Sequence, residues 1–178
     1  MKLYFKGLPK GFEVIFMLKL GPITENEYQL LVDWNDEKDE EFLFQWAGHK
    51  AYTYPISTSQ IKSRIESGAR IFTINLDGNI VGSVELDKAD LDNSTANVCR
   101  FIICENMKNK GIGESALNAL IKIAFDKMRI NKLTLGVFAF NIGAIRCYEK
   151  CGFLVKEYFE GEDPKWNGYI MELRTSNL

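Results

Sequence analysis

The chain has 178 residues, which is the size of one domain and leaves no room for two cores of ordinary size. Hydrophobic residues make up 46% and charged residues 26%, so there is enough apolar surface to exclude a wholly disordered chain. The net charge of −2 argues against a dedicated nucleic-acid binder, and no apolar run reaches the ~20 residues of a membrane helix. We therefore predict a cytoplasmic protein with neither nucleic acid nor membrane as partner.

The first third of the chain predicts one strand, at 12–20 or 18–23, followed by helices. Residues 24–27 (TENE) and 57–60 (STSQ) each have the pattern of a capping box, because a hydroxyl is followed three residues on by a carboxylate or an amide. From these signals we predict helices from Thr24 to about Trp34, from Asp36 to Trp46, and from Ser57 to Gly68.

Strands and helices then alternate. Asp77-Gly78-Asn79 is a hairpin signal between strands at Ile71–Leu76 and Ile80–Leu86, with a polar loop at Asp87–Asn93. The strongest helix begins at Gly111, because apolar residues recur along it at helical spacing. The remaining predicted elements are strands at Thr95–Cys104, Lys132–Phe140, Phe153–Tyr158 and Tyr169–Leu173, and a helix from Asn141 to Gly152.

The four cysteines are expected to be reduced, packed thiols. Cys147 and Cys151 are four residues apart and share a helix face, but the sequence has no C-x-x-C pair and its single histidine, His49, is far away. We therefore predict no metal site.

A loop with two glycines precedes the strongest helix. Gly111 and Gly113 let the backbone turn tightly and expose successive N–H groups, and the helix N-terminus adds free donors. Lys108 and Lys110 add positive charge. Such a loop can bind a pyrophosphate or can be a solvated turn with basic side chains, and it matches neither a Walker A loop nor G-x-G-x-x-G.

A second segment, about thirty residues further on, runs from Asn141 to Phe153 as NIGAIRCYEKCGF. Together the two segments resemble the GNAT superfamily of N-acetyltransferases, whose pyrophosphate loop is Q/R-x-x-G-x-G/A and whose later block is N-x-x-A-I-x-x-Y-E-K-x-G-F. The resemblance covers residues 18–175, and the first half is loosely similar to the branch that contains ribosomal-protein N-terminal acetyltransferases. It implies an α/β (α+β) fold with a mixed, mostly antiparallel twisted sheet of about seven strands flanked by helices.

This resemblance divides the chain into a single N-acetyltransferase domain at 17–178 and an extension at 1–16. The extension is either an additional strand or a leader ahead of a native start at Met17. We expect a monomer or a homodimer.

The resemblance also implies acetyl-CoA as co-substrate. The backbone amides from Lys108 to Gly113 would hold its pyrophosphate, although Lys108 stands where the family usually has Gln or Arg. A strand that splays from its neighbour would expose backbone groups to the pantetheine arm. The residues implied for the coenzyme are Phe101, Ile102, Ile103, Lys108, Asn109, Lys110, Gly111, Ile112, Gly113, Asn141 and Arg146, with Lys150 beside Arg146.

Acetyl transfer to an amine needs a base for the amine, a donor for the carbonyl oxygen and an acid for the leaving thiolate. Tyr148 is the implied acid, since a phenol with a pKa of about 10 holds its proton at neutral pH; alternatively its ring is a core aromatic against Phe153. The implied oxyanion donor is a backbone N–H near Phe101 or Ile102.

The general base is less evident, because residues 95–103 contain no acid. Glu85 on the preceding strand is the nearest carboxylate, although it can equally be an ordinary strand residue facing outward. A water chain that ends on Glu85 or Asn97 would also serve. His49 has a suitable pKa but lies in a loop, and Cys104 would be an unneeded nucleophile.

Residues 24–44 hold eight acids and one base. They form either a solvated helix face or an acidic rim that attracts a cationic amine. Trp34, Trp46 and Tyr54 are expected to wall the substrate cleft. The predicted function is acetyl transfer to a primary amine, such as a protein N-terminus, a polyamine or another small amine; the alternative is a non-catalytic acyl-CoA-binding sensor or interaction domain.

Overall fold

A mixed β-sheet forms the middle of the protein in a computed structural model that describes residues 2–3, 14–15, 17–48 and 50–177. The strands are β1 (Lys2–Leu3), β2 (Val14–Ile15), β3 (Leu18–Pro22), β4 (Arg70–Leu76), β5 (Asn79–Asp90), β6 (Thr95–Ile103), β7 (Lys132–Phe138), β8 (Leu154–Phe159) and β9 (Gly168–Arg174). Seven of them form one sheet in the order β3-β4-β5-β6-β7-β9-β8, and β1 pairs separately with β2. Every neighbouring pair in the large sheet is antiparallel except β6 and β7, as the family resemblance implies.

Five α-helices flank this sheet in the described part of the chain. They are α1 (Tyr28–Asp33), α2 (Glu40–Ala47), α3 (Thr58–Glu66), α4 (Ile112–Lys122) and α5 (Ile142–Lys150). A π-helical turn at Ile123–Lys127 continues α4, and 3₁₀ turns lie at Glu25–Glu27, Glu105–Met107, Pro164–Trp166 and Thr175–Asn177. None of the described helices is long and apolar enough to cross a membrane.

The helices form two layers, one on each side of the sheet. The apolar stripe predicted for α4 is buried, with Leu117 and Leu120 fully inaccessible, and it packs with α5 against β5, β6, β7 and β9. On the other side, Leu31 of α1, Leu43 of α2 and Ile61 of α3 form a second cluster with β4. The protein therefore holds its sheet between an α4–α5 layer and an α1–α3 layer.

Several element boundaries differ from the predictions for local reasons. The second helix begins at Glu40, not at Asp36, because the Asp39 side chain accepts a hydrogen bond from the Phe42 N–H at 2.8 Å and caps it there. The Gln60 side chain does not close the predicted capping box. It contacts the Thr53 N–H at 2.8 Å instead and holds the preceding loop.

Two strand predictions are also corrected. Residues 87–90, predicted as loop, continue β5, because Asp87 and Asp90 pair with Asn97 and Thr95 of β6. The strand predicted at 132–140 ends at Phe138. The first strand of the large sheet occupies 18–22, and most of the predicted 1–16 extension lies outside the described residues.

The parallel pair in the sheet separates before its strands end. β6 and β7 are paired at Thr95–Lys132, Ala96–Leu133 and Asn97–Thr134, and no later pair joins them within the described residues. β6 nevertheless runs on to Ile103 and β7 to Phe138. The predicted splay is therefore present, and it opens a gap through the sheet.

Candidate active site

A cavity of about 660 Å³ fills the gap between β6 and β7. Its walls come from α2 on one side of the sheet and from α5 and the start of α4 on the other. Most of the residues predicted for a site meet here: Trp46, Phe101, Ile102, Ile103, Lys108, Asn109, Gly111, Gly113, Asn141, Arg146 and Tyr148. The predicted residues Glu85, Lys110, Ile112, Trp34 and Tyr54 do not line this cavity.

The glycine loop has the shape of a phosphate cradle. Gly111 has a φ of 77° and Asn109 a φ of 59°, both left-handed, so the chain reverses sharply into α4. Ser115 donates to the Gly111 carbonyl at 3.1 Å in the first helical turn, which leaves the N–H groups before it at the open helix end. The side chain of Ile112 is buried in the core and anchors this turn, so only its backbone can contribute. A pyrophosphate fits these donors.

The bare backbone of Gly113 faces α5. A Cβ atom there would lie 3.6 Å from the Cys147 Sγ and 3.7 Å from the Phe101 ring, within the space that the cavity occupies. The N-terminus of α5 is capped by Asn141, whose Oδ1 accepts a hydrogen bond from the Ala144 N–H at 3.2 Å. The NH₂ group of Asn141 is then the donor that remains for a ligand.

Tyr148 lies between the core and the cavity. Its side chain is 9% exposed and its ring lies 6.1 Å from the Phe153 ring, so it is part of the core. It also lines the cavity, and no hydrogen bond joins its hydroxyl to another described residue. Burial raises its pKa above the ordinary value, and the neighbouring thiols of Cys147, Cys99 and Cys151 raise it further. The phenol therefore keeps its proton throughout the physiological range.

Glu85 occupies a different position from the one expected of an accessible base. Its side chain is 1% exposed and forms ion pairs with Arg64 of α3 and, at 2.7 Å, with Arg100 of β6. Asp87 completes the cluster, 3.0 Å from Arg64 and 3.5 Å from Arg100. A carboxylate that is buried, held by two guanidinium groups and absent from the cavity lining is out of reach of an amine in the cavity.

The same cluster brings Glu85, Asp87 and Cys99 within 4.8 Å of one another. Arg64 and Arg100 already neutralise the two carboxylates, and burial raises the pKa of the Cys99 thiol to about 12. A metal ligand would have to be a thiolate and free carboxylates, so these residues do not fit a metal ion. His49, the other candidate base, lies outside the described residues.

Of the three aromatic residues predicted for the substrate cleft, Trp46 lines the cavity. Its Nε1 donates to Asn35 Oδ1 at 2.9 Å, which fixes the indole. Trp34 instead packs against the α1–α3 core, and the Tyr54 hydroxyl donates to the Lys38 carbonyl at 3.1 Å on the surface. These two positions are corrected: Trp34 supports the fold, and Tyr54 joins two loops.

The sequence analysis did not identify a set of aromatic residues at the α2 side of the cavity. Phe44, Phe138 and Phe159 line it. The Trp166 ring lies 4.4 Å from Phe44 and 5.0 Å from Phe138, and Phe140 stacks on Phe138 at 5.7 Å. In the sequence, these aromatic residues are indicated only by the alternation of Phe138 and Phe140 at the end of a predicted strand.

Comparisons with known proteins agree with this geometry. The model of the Acetyltransferase (GNAT) family matches residues 25–153. Acetyltransferase PseH of Campylobacter jejuni is 27% identical over 157 residues, which is 83% of this chain and 90% of that protein. Spermine/spermidine N(1)-acetyltransferase of Bacillus subtilis is 37% identical over 75 residues, which is 41% of this chain and 47% of that protein.

A solved structure has the same architecture. Spermidine N-acetyltransferase from Vibrio cholerae, crystallised in complex with CoA and spermine, superposes with a TM-score of 0.76 at 19% identity. The superposition covers 90% of this chain and 96% of that one. At this identity the likeness establishes the shared fold.

Proposed function

Because the chain belongs to the GNAT family of acetyltransferases and is an acetyl-CoA-dependent N-acetyltransferase, we propose that the cavity between β6 and β7 is its active site. The observation that carries this proposal is the meeting of three features in one space: the glycine loop, the open edge of β6, and the protonated Tyr148. They come from three separate segments of the chain.

Binding of acetyl-CoA begins at the glycine loop. The amides between Lys108 and Gly113 hold the pyrophosphate at the positive end of α4, and Arg146 and Lys150 lie beside it on α5. The edge of β6 at Phe101–Ile103, which is not paired with β7, offers backbone groups to the pantetheine arm, and Asn141 approaches the arm from the N-terminus of α5. This places the thioester in the gap, near Tyr148.

Transfer is by direct attack of a neutral amine on the thioester carbonyl. A backbone N–H of β6 near Phe101 or Ile102 stabilises the carbonyl oxygen as it becomes negative. Tyr148 donates its proton to the departing thiolate, and its raised pKa means that the phenol is protonated when the thiolate leaves. Asn97 lines the cavity whereas Glu85 does not, so Asn97 orients the water that carries the amine proton to bulk solvent.

The acceptor is a primary amine. The names of the relatives reported above point to small amines, including polyamines, and not to protein N-termini. The loose likeness of the first half to ribosomal-protein N-terminal acetyltransferases stays a prediction, as does a monomeric or homodimeric state. If the protein only bound acyl-CoA, the Tyr148 hydroxyl would have no role at the cavity.

Thiol release from acetyl-CoA tests this function. We expect thiol release that requires both the protein and an added primary amine. Its rate should saturate with acetyl-CoA and with the amine. Coenzyme binding without amine-dependent release from a panel of small amines and short peptides would instead support the non-catalytic alternative.

A further inference from the structure

The α2 side of the cavity is lined mainly by aromatic rings. The cavity is lined there by Phe42, Phe44 and Trp46 of α2 and by Phe138 and Phe159 of the sheet, and we call these five residues the aromatic wall. Trp166 closes the wall from the loop between β8 and β9, where it contacts Phe44 and Phe138. An acceptor that reaches the thioester from this side must pass between flat apolar surfaces.

Carboxylates are missing from this wall. Among the described residues, the acid that lines the cavity is Glu114, in the first turn of α4 on the coenzyme side, 3.7 Å from Lys150 Nζ. Since a polyamine carries further ammonium groups beyond the reacting one, each of them would need an anion or water as partner. The aromatic wall provides no anion.

The acidic residues at 24–44 do not supply an anion either, because none of their carboxylates lines the cavity. Most of these acids are used within the fold. Asp39 caps α2, and Glu41 pairs with Lys165 at 2.5 Å, which joins α2 to the loop that carries Trp166. Glu25 pairs with Lys62 at 3.7 Å, and Glu27 accepts the Thr24 N–H at 2.7 Å.

Two of the rings at this side already hold a cation from the protein itself. Lys38 Nζ lies 5.5 Å from the centroid of the Phe42 ring, and Lys165 Nζ lies 4.9 Å from that of Trp166. Glu41 offsets the charge of Lys165, but an additional ammonium group on the Phe42 ring would meet Lys38, which has the same charge. The Phe42 face therefore disfavours a second positive charge on the acceptor.

Building on the proposed function, we infer that the acceptor is a monoamine whose body is uncharged and flat, such as an aromatic ring, and not a polyamine. The ring packs against the aromatic wall, on the cavity side of the Phe44 and Phe138 rings, which contact each other with centroids 5.5 Å apart. Its amino group then extends toward the gap and the thioester.

Three amines separate charge from shape: 2-phenylethylamine, hexylamine and 1,6-diaminohexane. Hexylamine and 1,6-diaminohexane share one chain and differ in the second ammonium group. We expect kcat/KM by thiol release to be highest for 2-phenylethylamine, and at least about 10-fold lower for 1,6-diaminohexane than for hexylamine. Equal or better use of 1,6-diaminohexane would overturn this inference and leave the transferase activity standing. Thiol release that no amine stimulates would overturn the proposed function, and the inference with it.

A variant connects the preference to the aromatic wall. Phe138→Leu should lower kcat/KM for 2-phenylethylamine about 10-fold and change that for hexylamine by less than about 3-fold. Phe125→Leu is the matched control, because Phe125 packs in the α4–α5 layer and does not line the cavity. The melting shift caused by acetyl-CoA should be the same in both variants. An equal loss for both amines in Phe138→Leu would contradict stacking of a ring on Phe138.

Discussion

Replacing Tyr148 by phenylalanine removes the hydroxyl and its proton but keeps the aromatic ring. Tyr148 is buried against Phe153, and its hydroxyl has no hydrogen-bond partner among the described residues. Tyr148→Phe keeps the packing and breaks no internal hydrogen bond, so the free energy of unfolding should change by less than about 1 kcal/mol. Tyr148→Ala removes the ring as well and should cost about 3–5 kcal/mol. Urea denaturation of the two variants measures both values.

The catalytic effect should be large in comparison. Losing a positioned general acid lowers turnover by about 10²–10⁴, which corresponds to about 3–5 kcal/mol in the barrier. The assay is thiol release at saturating acetyl-CoA and amine. Coenzyme affinity, measured by titration, should stay within about 3-fold, because the coenzyme contacts are made by other residues.

The pH dependence gives a separate check. Burial raises the pKa of Tyr148 above its ordinary value, so the acid remains protonated well beyond neutral pH. Turnover of the parent should therefore show no alkaline decline from this group below about pH 10. Near-parental turnover in Tyr148→Phe would refute the assignment and leave Tyr148 as a core residue.

Four further predictions concern the coenzyme and the fold. Acetyl-CoA at 100 times Kd should stabilise the parent by about 2.7 kcal/mol, which a melting experiment detects. Gly113→Val should abolish this stabilisation, whereas Gly21→Val, whose Cβ would enter open space, should keep it. Glu85→Gln should cost about 3–5 kcal/mol in urea denaturation because it leaves two guanidinium groups to share the single carboxylate of Asp87, whereas exposed Glu25→Gln should cost less than about 1 kcal/mol; equal costs would contradict the buried cluster. Because burial holds the folded pKa of Cys99 at about 12, the stability that it contributes should be complete below pH 8 and be lost as pH rises from about 9. If the urea midpoint falls above about pH 9 by the same amount in the parent and in Cys99→Ser, Cys99 is not the source of the loss. Intact mass without reductant should show four free thiols, and a mass two hydrogens lower would reveal a disulfide.

Local signals in the sequence were sufficient to predict the turn and the helix start where we propose that the coenzyme binds. The turn at Gly111 and the cap at Asn141 depend on residues within one or two turns of themselves, and the structure places both as expected. The stripe on α4 likewise follows from spacing alone. Short-range chemistry of this kind can be read from one segment at a time.

The long-range features could not be read in that way. Glu85 is buried because Arg64, 21 residues earlier, and Arg100, 15 residues later, reach it across two elements. An isolated glutamate in a strand gives no sign of such partners, and the same two guanidinium groups also pair with Asp87, two residues further along β5. Burial of a charge is decided by its neighbours in space.

The acceptor side was the least predictable part. Trp34 and Trp46 belong to neighbouring helical segments of similar composition, yet only Trp46 turns toward the gap. Phe138 and Trp166 meet at 5.0 Å through the return of the chain after β8, a contact that no spacing in the sequence encodes. Which aromatic residues wall a cleft is fixed by the packing of whole elements.

The central claim is direct transfer of the acetyl group to an amine in the cavity between β6 and β7. The most direct test is a single turnover with acetyl-labelled coenzyme and 2-phenylethylamine, followed by mass spectrometry of both the amine and the intact protein. We predict that the label appears on the amine as the free thiol is released, and that the protein stays unlabelled throughout. Label that accumulates on the protein before the amine, or thiol release with no labelled amine, would contradict the account.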